Sequence, residues 1–133
     1  MFFVGYLLLF VIIGSCSPFH NLFLFLFLLP LQGTIPEQIA SLTALTHLLL
    51  RNNELQGSVP SSIGNLTTLE IVELQSNRLT YLPSSITSCQ KLKKLFLHLN
   101  QFDQPVPEFL GSITSLEILT LHANQFTGQG CCS

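Results

Sequence analysis

Charged residues are scarce in this sequence of 133 residues, which has 5 lysines and arginines, 7 aspartates and glutamates, and a net charge of −2. The first basic residue is Arg51, and only Lys91, Lys93 and Lys94 lie close together. A surface that binds the phosphates of a nucleic acid needs clustered lysine and arginine. The composition therefore predicts that the protein does not bind nucleic acid.

Motifs of enzymes and cofactor sites are also missing. The sequence has no P-loop, no kinase glycine-rich loop, no HRD or DFG motif, no nucleophile elbow and no HExxH motif. Kinase activity would require sequence beyond Ser133. We therefore expect a protein that is not an enzyme and that needs no cofactor.

The positive signal is a repeat. Asn53, Asn77, Asn100 and Asn124 are spaced 24, 23 and 24 residues apart, and each ends a segment of the form LxxLxLxxN. The apolar positions of the four copies are Leu45, Leu48, Leu50; Leu69, Val72, Leu74; Leu92, Leu95, Leu97; and Leu116, Leu119, Leu121. This period and pattern are typical of leucine-rich repeats.

The alternation within each copy predicts one short strand with one buried side. The asparagine follows the strand, where its side chain can bond backbone groups that the turn leaves unpaired. Stacked copies share a continuous core. We predict an α/β-type repeat solenoid, a right-handed arc with a short parallel sheet on its concave side.

The segments between the strands suggest a family. LQGTIPEQIA (residues 31–40), LQGSVPSSIG (55–64) and FDQPVPEFLG (102–111) resemble the LxGxIPxxIGxL half of plant-type extracellular leucine-rich repeats, which occur in receptor-like kinases, receptor-like proteins and polygalacturonase-inhibitor-like proteins. The resemblance implies a convex side that is mostly irregular or 3₁₀-helical. LTYLPSSITS (79–88) departs from the pattern, being one residue short and lacking GxIP. The Cys- and Trp-containing cap that usually precedes the first repeat is also missing, so plant and other eukaryotic origins both stay open.

The chain divides by composition. Residues 1–17 are predicted to be a signal peptide or signal anchor, because the apolar run over 2–13 has the length of a signal-peptide core. Residues 18–30 form a degenerate first strand, in which Leu24 and Leu26 take the places of Leu48 and Leu50. Alternatively they continue a membrane anchor over residues 2–31, or they are non-coding sequence. The repeats occupy residues 31–128, with copies at about 42–65, 66–88, 89–112 and 113–133, and residues 129–133 form a tail.

The four cysteines do not suggest a paired framework. Cys89 takes the place of Leu66 in the repeat, so we expect it to be buried in the core. Cys131 and Cys132 are either the start of a terminal cap or the end of a truncated array.

Residues at the same repeat position should form columns across neighbouring strands, roughly 5 Å apart. The columns are Glu70, Lys93, Glu117; Arg51, Gln75, His98, His122; His47, Ile71, Lys94, Ile118; Leu49, Glu73, Phe96, Thr120; and Asn52, Ser76, Leu99, Ala123. We interpret the first as a structural charge ladder. Apolar residues on an otherwise polar face favour a protein or peptide partner.

The predicted ligand-binding residues of the concave face are Leu49, Arg51, Ile71, Glu73, Lys94, Phe96, His98, Ile118, Thr120 and His122. His98 and His122 are predicted neighbours that could respond to pH. We expect no metal site, because a structural zinc site needs four ligands and a catalytic site usually three.

Asn65 begins the sequon Asn-Leu-Thr and is a predicted glycosylation site. The function hypothesis is a non-catalytic recognition module of extracellular or membrane receptor signalling, secreted or membrane-anchored. The alternative is a truncated fragment of a receptor-like kinase or receptor-like protein with no independent activity.

Overall fold

The computed structural model describes Val11–Ile13, Leu22–Phe25 and residues 31–128. These residues form two sheets connected by 3₁₀ helices. The strands are β1 (Val11–Ile13), β2 (Leu22–Phe25), β3 (Gln32–Gly33), β4 (Leu45–Leu49), β5 (Glu54–Ser58), β6 (Ile71–Glu73), β7 (Arg78–Tyr81), β8 (Lys94–Phe96) and β9 (Ile118–Thr120). The predicted leucine-rich-repeat solenoid is confirmed.

The larger sheet contains one strand from each repeat, in the order β1-β2-β4-β6-β8-β9. Strands β2 to β9 pair in parallel, as expected when each repeat returns the chain to the same place. Strand β2 lies beside β4 with Leu24 opposite Leu48, the register that a shift of one repeat predicts. Strand β1, inside the segment predicted as a signal-peptide core, pairs antiparallel with β2.

A second, three-stranded sheet of β3, β5 and β7 lies after the asparagine turns, and the sequence did not predict it. It does not continue into the third repeat. There the side chain of Gln104 bonds the backbone of Leu82, with Oε1 accepting from the N–H at 2.6 Å and Nε2 donating to the carbonyl at 3.2 Å. The next residue is Pro105, which has no N–H to donate.

The convex side carries one 3₁₀ helix per repeat, at Glu37–Ser41, Ser61–Asn65, Ser84–Ser88 and Glu108–Ser112. Each begins directly after a proline, whose fixed φ suits the start of a helical turn. Each also buries one large apolar residue, Ile39, Ile63, Ile86 or Leu110. The described convex side is therefore 3₁₀-helical, as predicted.

The core contains the apolar strand residues of the first three copies, these convex residues, and further buried residues such as Leu55, Leu79 and Phe102. Leu48, Val72 and Leu95 have no exposed surface, whereas Leu119 at the same position of the fourth repeat is 39% exposed. Cys89 is fully buried, which confirms its predicted core position, and its Sγ lies 3.5 Å from the carbonyl oxygen of Ile63. Burial raises the pKa of the Cys89 thiol to about 11.

The asparagine side chains connect successive repeats. Asn77 accepts a hydrogen bond from the Leu55 N–H at 3.0 Å and donates to the carbonyls of Leu50 and Leu74 at 2.9 and 3.0 Å. Asn53, Asn100 and Asn124 repeat parts of this pattern. The predicted role of the asparagines is confirmed.

The residue before each asparagine has a left-handed backbone conformation, with φ of 57° at Asn52, 58° at Ser76, 56° at Leu99 and 54° at Ala123. The chain reverses its direction there, from the strand towards the second sheet. Only asparagine among these four types adopts that conformation readily. The repeat pattern predicts a surface column for these residues but does not predict their left-handed backbone.

Candidate ligand-binding surface

The concave face is the outward side of β4, β6, β8 and β9 together with the residues that directly follow each strand. The register aligns His47, Ile71, Lys94 and Ile118 in one column, and Leu49, Glu73, Phe96 and Thr120 in the next. Both columns match the repeat spacing. The side chains between them, such as Val72 and Leu95, face the core.

Two ion pairs lie on this face. Lys93 Nζ contacts Glu70 Oε2 at 2.8 Å, which lowers the pKa of the Glu70 carboxyl and raises that of the Lys93 amine. Glu117 adds a smaller attraction to Lys93 through its charge. The predicted ladder is thus one close pair with a more distant third member.

The second ion pair joins Arg51 Nη1 to Glu73 Oε2 at 3.3 Å. Column spacing did not predict it, because Arg51 and Glu73 belong to different columns. The long arginine side chain reaches diagonally to the next strand, as cross-strand neighbours can. Two predicted ligand-binding residues are therefore already bonded to each other.

Lys94 makes no ion pair within residues 31–128. It is half-buried at the centre of β6, β8 and β9, between Ile71 and Ile118 in its column. Phe96 lies two residues further along the same strand and is also half-buried. Ile118 is 39% exposed. A cation therefore lies between two apolar side chains of its column on an open face, with Glu73 and Thr120 as diagonal neighbours on β6 and β9.

His98 and His122 stack, with ring centroids 4.6 Å apart and ring planes inclined by 14°. Phe96 contacts His98 edge to face, with centroids 6.5 Å apart. His98 Nδ1 lies 2.7 Å from Thr120 Oγ1, within hydrogen-bond distance. Desolvation and the neighbouring His122 lower the pKa of His98. The three rings form one aromatic cluster that spans β8 and the segment after β9.

His47 is a further half-buried histidine on this face, which the predicted site omitted although the strand alternation could have identified it. Its Nδ1 lies 2.9 Å from Thr46 Oγ1. Desolvation lowers the pKa of His47, partly offset by the negative charges of Glu70 and Glu73.

The remaining predicted ligand-binding residue on β4, Leu49, is half-buried and pairs with Phe25 of β2 on one side and Glu73 of β6 on the other. Leu99, the other outward apolar residue, is 52% exposed in the turn after β8. The predicted glycosylation residue Asn65 is exposed at the end of the 3₁₀ helix Ser61–Asn65, away from the concave face.

The part of the chain that the structure describes has no group of three metal-binding side chains. It also has no helix with the length and apolar character needed to cross a bilayer. The predictions for residues 1–10, 14–21, 26–30 and 129–133, including those for Cys131 and Cys132, lie outside the described residues.

A family model described as Leucine Rich Repeat matches residues 44–66. The chain has the leucine-rich-repeat fold. Solved structures extend this match to most of the array, and those below are ectodomains or receptors of plants. A search of curated protein sequences finds no match to this leucine-rich-repeat chain.

The plant peptide hormone receptor RGFR1, solved with RGF2, is 31% identical with a TM-score of 0.74, over 86% of this chain and 18% of that one. The ectodomain of the Arabidopsis thaliana receptor kinase SOBIR1 is 31% identical with a TM-score of 0.71, over 82% of this chain and 60% of that one. The Arabidopsis receptor kinase HAESA, solved with the peptide hormone IDA and the co-receptor SERK1, is 34% identical with a TM-score of 0.68, over 71% and 16%. The predicted resemblance to plant extracellular leucine-rich repeats is thereby confirmed. The match spans less than two thirds of the length of each of these proteins.

Proposed function

We propose that this leucine-rich-repeat chain is a non-catalytic recognition module that binds a protein or peptide partner through its concave face. The observation that carries the proposal is the combination of unpaired Lys94 with the outward apolar and aromatic side chains of Ile71, Phe96 and Ile118. A few buried side chains near the centre of a protein interface, often aromatic, supply most of its binding free energy. A charged group among them gives the interaction orientation and specificity.

The similar proteins support the same class of partner. The RGFR1 and HAESA structures are described as complexes with RGF2 and with the peptide hormone IDA. The partner of this chain is a separate question, because fold similarity alone does not transfer a ligand. Partner binding, and a place in extracellular or membrane receptor signalling, are therefore parts of the proposal.

The test uses a displayed library of short random peptides selected on the wild-type protein. Selected peptides are measured against Phe96→Ala and against Tyr81→Ala. Tyr81 is 48% exposed on β7, in the second sheet, and serves as a matched aromatic control. We expect Phe96→Ala to weaken binding about fivefold or more, because truncation of an interface anchor costs at least about 1 kcal/mol, and Tyr81→Ala to have no effect. Selected peptides that bind Phe96→Ala as tightly as wild type would contradict the proposed site.

We also propose that the chain is secreted or membrane-anchored, with its repeats facing outside the cell and Asn65 glycosylated. Signal-peptide composition in residues 1–17 and an exposed sequon support this. The similarity to receptor ectodomains agrees with it. Expression in a secretory eukaryotic host should give a glycan-dependent mobility shift that both Asn65→Gln and Thr67→Ala remove. A secreted product without any glycan would contradict the glycosylation proposal.

The second candidate is a fragment of a larger receptor-like protein or kinase with no independent activity. It is favoured by Leu119, which is 39% exposed although its counterparts in earlier repeats are fully buried. Sequencing the full transcript tests it. Further repeats, a transmembrane segment or a kinase domain in the same reading frame would support the fragment, and a stop codon directly after Ser133 would count against it.

A further inference from the structure

The histidines of this chain are unevenly distributed. The sequence has four, of which His47, His98 and His122 lie on the concave face, while His20 lies outside the described residues. Histidine is the side chain whose charge changes between about pH 5 and 8. The face that carries the proposed binding site is therefore also the face whose charge responds to mild acid.

The permanent charges of the concave face balance one another. The cations are Arg51, Lys93 and Lys94, and the anions are Glu70, Glu73 and Glu117. Arg51 bonds Glu73 and Lys93 bonds Glu70, so these four add little net field. In neutral solution the unpaired cation at the centre of the face is Lys94. Protonated histidines would change this balance in one direction, towards positive charge.

The surroundings of His98 leave it able to take up a proton. Its stacking partner His122 is exposed, and His122 is the charged neighbour that acts on it. On the β6 side, the neighbour of His98 in its column is Gln75, which is uncharged. On the β9 side, the Thr120 hydroxyl contacts His98. The Arg51–Glu73 pair beyond Gln75 is internally neutralised. At a ring separation of 4.6 Å the two imidazoles repel each other when both are charged.

Geometry relates the histidine pair to Lys94. Lys94, Phe96 and His98 alternate along one chain segment, so their side chains point to the same side. At about 3.3 Å per residue, Lys94 and His98 lie about 13 Å apart, with Phe96 between them. An extended peptide parallel to β8 has the same repeat. It can place an acidic residue at each end and an apolar residue over Phe96.

Building on the proposed function, we infer that the concave face binds a peptide segment of the pattern acidic-x-apolar-x-acidic, with one carboxylate at Lys94 and the other at the His98–His122 pair. Mild acid strengthens the binding because the second carboxylate then meets a cation. His47 lies on the other side of β6, next to Glu70 and Glu73. When protonated it adds positive charge to the face, but it is farther from the peptide and contributes less to the acid effect.

The test uses the peptide Asp-Ala-Phe-Ala-Asp with blocked ends, measured by calorimetry at about pH 7.5 and about pH 5.0, where aspartate is still ionised. Two matched peptides replace both Asp residues by Asn or by Lys. Wild type should bind the Asp peptide about fivefold more tightly at the lower pH, as expected for one added ion pair of about 1 kcal/mol. The Asn peptide should show no pH dependence, and the Lys peptide should bind more weakly as the pH falls.

Substitutions separate the sources of the effect. The double variant H98Q/H122Q should lose most of the pH dependence of Asp-peptide binding, because glutamine cannot be protonated and only the smaller contribution of His47 remains. R78Q removes a charge from β7 in the second sheet and should keep the wild-type pH dependence. An acid effect of wild-type size in H98Q/H122Q, or wild-type affinity that does not change with pH, overturns the inference.

The same data distinguish this inference from the proposed function. If Phe96-dependent binding of library-selected peptides persists while the Asp peptide shows no preference over the Asn peptide, the concave site stands and its acidic specificity is wrong. If neither the selected peptides nor the Asp peptide depends on Phe96, both proposals fail.

Discussion

The side chain of Asn77 is bonded to the backbone of Leu55, 22 residues earlier in the chain, at 3.0 Å. The same side chain bonds two carbonyls, one in its own repeat and one in the preceding repeat. A single amide therefore satisfies buried backbone groups on both sides of a turn.

Asn77→Ala should destabilise the protein by about 2–4 kcal/mol, because it leaves the buried Leu55 N–H without its partner and removes one of the two asparagine donors from each of the Leu50 and Leu74 carbonyls. Asn53 makes similar bonds but is more exposed, so water can replace it. Asn53→Ala should cost about 1–2 kcal/mol. Urea unfolding measures both. Equal losses of unfolding free energy in the two variants would show that burial of the turn does not determine the cost of removing the asparagine.

Gly64 and Gly111 occupy equivalent positions in two 3₁₀ helices, but only Gly64 is crowded. A Cβ at Gly64 would lie 2.6 Å from the carbonyl oxygen of Ser85 in the next repeat, whereas a Cβ at Gly111 would meet nothing within 4 Å. Gly64→Ala should cost about 1–3 kcal/mol through backbone displacement. Gly111→Ala should be neutral or stabilise by about 0.5 kcal/mol. Thermal unfolding that ranks them in the opposite order would refute the close packing of the convex side.

Leu99 is 52% exposed and has a φ of 56°, a conformation that asparagine tolerates and leucine does not. Leu99→Asn should therefore stabilise the fold by about 0.5–1 kcal/mol. Leu119, 39% exposed but within strand β9, provides the control. Leu119→Asn should give no gain, because an extended backbone carries no such strain. A loss of stability in Leu99→Asn would mean that leucine packing outweighs the backbone strain.

The stability of the fold should decrease as the pH falls below about 6.5, because His47 and His98 have pKa values lowered from their ordinary value of 6.5. A lowered pKa means that the unfolded chain takes up the proton first, so acid favours unfolding until the folded histidines are also protonated. His98→Gln should reduce this loss between about pH 6.5 and 5, measured as the urea midpoint at each pH. R78Q should leave the loss unchanged. If the stability of the His98→Gln variant fell with pH as much as that of wild type, protonation of His98 would not be the cause of the acid sensitivity.

Much of the fold follows from periodicity. The alternation in each copy identified the strands, and the asparagine spacing predicted which residues stand side by side, including His98 and His122. Such columns are predictable because every repeat has one geometry and its neighbours share it.

Contacts between columns could not be predicted in the same way. The Arg51–Glu73 pair is diagonal, and the Gln104–Leu82 contact lies where the preceding repeats have strands of the second sheet. Both depend on how far flexible side chains extend, and the spacing of residues along the sequence gives no information about that. The second sheet of β3, β5 and β7 was missed because its strands have two to five residues and no clear alternation.

The sequence by itself determined that this chain is a leucine-rich-repeat solenoid, that Cys89 belongs to its core, and which side chains share the concave face. These features were predictable because the pattern of buried and exposed positions repeats with the period of the sequence. Only the tertiary structure decided which of those side chains are already paired. Lys94 is left unpaired because Glu70 and Glu73 bond Lys93 and Arg51, and the two imidazoles stack because adjacent parallel strands hold them within 4.6 Å.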